Sequence, residues 1–103
     1  MRAKRYPDCT RFGEIAIDDV VQRIMTAQLG GQEITIRTES FRIGCLVADQ
    51  DISERRGRST VDWLVTNIPD LGPEPWDRRK LREKIDRAVT QGKEQARRVP
   101  HGR

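Results

Sequence analysis

Histidine, cysteine and aromatic residues are scarce in this chain: 103 residues include one histidine, two cysteines, two tryptophans, two phenylalanines and one tyrosine. The lone histidine, His101, sits next to the C-terminus, where little would hold a general base within reach of a substrate. Two cysteines and one histidine cannot supply an ordinary four-ligand zinc site. Cys9 lies in a polar stretch and reads as exposed, and Cys45 lies in an apolar run and reads as a small core residue. A disulfide is not expected, which fits a cytoplasmic location. No apolar run approaches the length that crosses a bilayer. Met1-Arg2-Ala3-Lys4-Arg5 has no apolar stretch behind it, so it does not read as a signal peptide. Gly30-Gly31 is not followed by the Gly-Lys-Ser or Gly-Lys-Thr of a phosphate loop. Asp18-Asp19 reads as a helix cap before it reads as a magnesium site, and Asp49 and Asp51 read as turn residues. These absences point to a binding module with no cofactor and no metal, and not to an enzyme.

Charge is what the chain has in abundance. Asp, Glu, Lys and Arg make up 35% of the residues, as much as all the hydrophobic ones. Residues 1–13 carry four basic and one acidic residue, 14–76 carry six and eleven, and 77–103 carry ten and four. A slightly acidic middle is flanked by two basic ends, and basic ends attract a polyanion such as DNA or RNA. A chain of this length has a small core, so a dimer or a partner would help to bury apolar surface.

The period of the apolar residues gives a provisional plan. Pro7 and Gly13 punctuate an arm over 1–13. Glu14-Ile15-Ala16-Ile17 alternates as a short strand does. Asp18 then caps a helix through Val20, Val21, Ile24 and Met25, which Gly30-Gly31 stops. Ile34 and Ile36, then Phe41, Ile43, Cys45 and Val47, alternate as the two strands of a β-hairpin. Ser59 caps a helix whose Val61, Leu64, Val65 and Ile68 recur at helical spacing, and Pro69 ends it. Asp70 to Pro75 is a stiff linker, and a last helix runs from Trp76 to about Gln91. The expected fold is α+β, ordered β-α-β-β-α-α. It has a small antiparallel sheet, a basic arm (1–13), an α+β half (14–58), a helical half (59–98) and a short tail (99–103).

Arg2, Lys4, Arg5 and Arg11, with Tyr6 among them, suit sequence-independent phosphate contacts. Arg55, Arg56 and Arg58 form a second basic cluster. Arg78, Arg79, Lys80, Arg82, Lys84 and Arg87 line the last helix, where pairing with Glu83 and Asp86 explains them equally well. Trp63, Leu64, Ile68, Leu71, Trp76, Leu81, Ile85 and Val89 form a large apolar set. They read either as ordinary core or as anchors for a protein partner.

Gly31-Gln32-Glu33-Ile34-Thr35-Ile36-Arg37 and Ile43-Gly44-Cys45-Leu46-Val47-Ala48-Asp49 resemble the helix-turn-strand pattern of the Phd/YefM family of type II antitoxins. Leu81 to Val89, followed by Gly92-Lys93, looks like that family's C-terminal helix. Departures stand at Ser40, at Arg42 and in the basic C-terminal part. The resemblance implies a homodimeric autorepressor that binds duplex DNA through its N-terminal half and a toxin-like protein through its C-terminal half. It places Gln22, Arg23 and Arg37 beside the DNA, with the arm residues Arg2, Lys4, Arg5 and Arg11. Two other readings stand beside it. One is an interaction protein, phage- or plasmid-encoded, whose basic surface inhibits a nucleic-acid-dependent enzyme. The other is a small metal-dependent nuclease using Asp18 and Asp19.

Overall fold

The computed structural model describes residues 9–98. They form four helices and one 3₁₀ turn: α1 (Arg11–Thr26), the turn Leu29–Gly31, α2 (Gln32–Ala48), α3 (Glu54–Asn67) and α4 (Arg78–Arg98). Among the described residues there is no strand, only an isolated antiparallel bridge between Cys9 and Ile52. The expected α+β plan is therefore corrected to an all-helical one. Residues 14–17 belong to α1, the residues of the expected hairpin lie along α2, and α3 runs through residues 58 and 59.

The alternation over 34–47 misleads because the buried face of α2 is only partly apolar. Gln32, Ile36, Glu39, Ser40, Ile43, Gly44 and Leu46 are its buried residues. Four of these seven are polar or glycine, so the helical period is invisible in a hydrophobicity pattern, while exposed Ile34 adds a false alternation. The caps also lie elsewhere than expected. Thr10 caps α1 by accepting from the Gly13 amide at 2.9 Å, and Ser53 caps α3 by accepting from the Arg56 amide at 2.9 Å. Asp18 and Ser59 are interior to α1 and α3. α2 ends in a Schellman motif. The amides of Gln50 and Asp51 donate to the carbonyls of Val47 and Leu46, and Gln50 takes the left-handed conformation at φ 64° that glycine usually fills.

Contacts between three pairs of helices fix their directions. Gly13 abuts the Asp51 carbonyl at one end of α1, and Arg23 and Thr26 share a groove with Ile34 and Thr38 at the other, so α1 and α2 are antiparallel. Gly57 faces Ile43 and Val47, and Gln32 donates to the Pro69 carbonyl at 2.9 Å, so α3 is antiparallel to α2. Lys93 pairs with Glu54 at 2.9 Å and Arg82 with Asp62 at 2.9 Å, so α4 is antiparallel to α3 and parallel to α2.

α2 and α4 cross with backbone close to backbone. A Cβ on Gly44 would overlap the Val89 carbonyl, and one on Gly92 would overlap the Phe41 carbonyl. Small residues recur every fourth position on both helices, Ser40 and Gly44 on one and Ala88, Gly92 and Ala96 on the other, and all five are buried. Backbone can thus approach backbone, with large residues filling the space on either side. All four helices supply one core that includes Ile17, Val20, Ile24, Ile36, Ile43, Leu64, Ile68, Leu81 and Ile85.

Candidate nucleic-acid interface

Three sequence segments come together at one end of the bundle. The chain enters at Cys9, whose backbone bridges Ile52, and the Thr10 amide donates to the Asp51 carbonyl at 2.8 Å. α3 begins at the same place, and Arg56 reaches back to Glu14 of α1 at 3.2 Å. The last turns of α4 arrive there too, since Lys93 grips Glu54 in the first turn of α3. Arg97 and Arg98 follow one turn further on. Basic residues far apart in sequence therefore share one end.

Their partners determine which charges remain outward. The Cys9 thiol, 3.1 Å from Glu14 Oε1, and the Arg56 guanidinium hold the Glu14 carboxyl below its ordinary value. Arg56 and Lys93 are thus engaged internally. Arg58 reaches Glu54 only at 3.8 Å and leaves 70% of its side chain exposed, a geometry that contributes little. Arg11, Arg97 and Arg98 are exposed and make no ion pair among the described residues.

The other expected DNA contacts are scattered. Arg2, Lys4 and Arg5 lie outside the described residues. Gln22 and Arg23 are near the far end of α1, about 18 Å along the axis from Arg11. Arg23 is tied at 2.7 Å to Asp19, which also accepts from Arg42 at 3.0 Å. Arg23 first and then Arg42 hold Asp19 below the usual carboxylate range. Asp19 is therefore the hub of a clamp that extends through Arg42 to Glu39 at 2.6 Å and ties α1 to α2. Arg37 stands exposed on α2, apart from both groups.

α4 is basic, but much of its charge is structural. Arg78 donates to the carbonyls of Val65 and Ile68 and pairs with Asp70, Arg82 pairs with Asp62, and Lys84 with Glu33. The expected partner-binding set is largely internal. Leu64, Ile68, Leu81 and Ile85 are fully buried, and Trp76 and Val89 pack against them. Trp63 and Leu71 are the two members left exposed. Trp76 precedes α4 instead of opening it, held by a bond from its amide to Asp70 at 2.8 Å.

Among the described residues, no three of His, Cys, Asp and Glu gather closely enough to hold a metal ion. Likewise no described helix is long and apolar enough to cross a membrane. Arg97 and Arg98 escape the sequence reading because it ends the last helix near Gly92. The signal that reaches them is the small-residue repeat Ala88, Gly92, Ala96, which carries the helical period past the glycine. No family model matches the chain, and neither a curated protein nor a solved structure matches it.

Proposed function

We propose that this chain is a binding module for a polyanion, duplex DNA first, and that it docks through the end where α1 and α3 begin and α4 finishes. The observation that carries the reading is the meeting there of Arg58, Arg97 and Arg98 with the entry of the basic N-terminal segment at Cys9. Contacts of this kind are made to phosphates and are largely blind to sequence. A homodimer belongs to the proposal as well, since a second copy presents the basic end twice. A reducing, cytoplasmic setting belongs to the proposal too, in which Cys9 and Cys45 stay thiols.

Fluorescence anisotropy with a labelled duplex tests this. Affinity should fall steeply with salt, because each neutralised phosphate releases counterions. Arg58→Ala combined with Arg97→Ala and Arg98→Ala should weaken binding and flatten the salt slope. Arg79→Ala with Lys80→Ala, at the opposite end of α4, should leave both unchanged. Absence of duplex affinity at low salt, or equal effects of the two sets, sinks the proposal.

A further inference from the structure

α1 exposes two large apolar residues at its start. Phe12 is 62% exposed and Ile15 60%, although Ala16, Ile17, Val20 and Ile24 of the same helix are buried. Arg11, Ile15 and Asp18 lie at i, i+4 and i+7, in one outward stripe. Neither Arg11 nor Asp18 makes an ion pair among the described residues, whereas their neighbours Asp19 and Arg23 are locked in the Arg42 clamp. Arg11 also stands in the first turn of α1, where a cation opposes the helix dipole and gains from a carboxylate supplied from outside.

We propose that this face is a two-fold seam between two copies of the chain, in which Arg11 of each copy meets Asp18 of the other across a centre of Phe12 and Ile15. The stripe is self-complementary under reversal. When two antiparallel α1 helices turn about an axis beside Ile15, each Arg11 lands opposite an Asp18, about 10 Å away along the axis of its own helix. Such a contact is isologous and closes at two copies. It rests on the homodimer part of the proposed function and supplies its location. One helix per copy is a small interface, so the association is reversible and depends on concentration.

Sedimentation velocity on the full chain over a concentration series tests the seam, with circular dichroism confirming that each variant remains helical. Arg11→Asp and Asp18→Arg should each weaken dimerisation about tenfold by facing like charges, and the double variant should recover most of that loss. Ile15→Glu should abolish the dimer. A wild-type monomer at about 100 μM overturns the seam and the homodimer reading together. A dimer that none of these variants weakens overturns the seam and leaves the homodimer standing. Loss in both single variants without recovery in the double one overturns the charge pairing and gives this face to a different occupant.

Discussion

Gly92→Ala sets two opposed effects against each other at one position. In an exposed helix the substitution stabilises by about 1 kcal/mol, because alanine is the better helix former. At Gly92 the new Cβ meets backbone: it overlaps the Phe41 carbonyl oxygen and lies 3.0 Å from that carbonyl carbon and 3.2 Å from the Cys45 nitrogen. No rotamer change relieves a clash with backbone, so α2 and α4 must move apart. Separation loosens Ile36, Ile43 and Ile85, all of which are fully buried. Overpacking of this kind costs typically 1–3 kcal/mol, and with backbone on the receiving side the upper end, about 3 kcal/mol, applies. The net is a loss of about 2 kcal/mol, which lowers the melting temperature of a domain this size by about 8–16 °C. Thermal unfolding followed by circular dichroism measures it. Gly30→Ala is the control, since nothing among the described residues lies within 4 Å of a Cβ built there. A Gly92→Ala protein that melts at or above the wild-type temperature would refute the close crossing.

Three further outcomes follow from the same contacts. Ser40 is fully buried and its hydroxyl has no hydrogen-bond partner among the described residues, so Ser40→Ala should stabilise by about 1 kcal/mol in urea titration, and a loss of stability would show a missed partner. Gln50→Gly should stabilise by about 1 kcal/mol, since the left-handed conformation strains any residue bearing a Cβ; a fall in the urea midpoint would contradict the Schellman ending of α2. Glu14 and Asp19 are held below their usual 4.5 and 3.8 by their partners. Carboxyls lowered in the folded state stabilise fully above their unfolded values, and that contribution is lost as pH falls through the lowered folded ones. The acid limb of a stability-versus-pH curve should therefore be shallower in Glu14→Gln and in Asp19→Asn, and an unchanged limb would deny these pairs a role.

Much of the helical fold is legible where burial and hydrophobicity coincide. Val61, Leu64, Val65 and Ile68 announce α3, and Leu81, Ile85 and Ala88 announce α4, because each buried face is apolar at helical spacing. α2 is illegible for the opposite reason. It buries Glu39 through a pair with Arg42, Gln32 through a bond to the Pro69 carbonyl, and Ser40 and Gly44 against α4. None of those burials registers as hydrophobic. The antitoxin resemblance is drawn from that same stretch, where α2 stands in place of the expected hairpin. At the candidate site, the Arg55-Arg56-Gly57-Arg58 cluster is plain in the sequence. Its meeting with Arg97 and Arg98 is a consequence of topology, since it depends on α4 running parallel to α2 and past the first turn of α3.

The central claim is that one end of an all-helical bundle receives the polyanion. A titration of isotope-labelled protein with a short DNA duplex, followed residue by residue in amide NMR spectra, tests it most directly. Shifts should concentrate at Cys9 to Phe12, Ser53 to Arg58 and Lys93 to Arg98, and should fade as salt is raised. Shifts confined to Asp70 to Lys80 at the opposite end, or none at low salt, would contradict it.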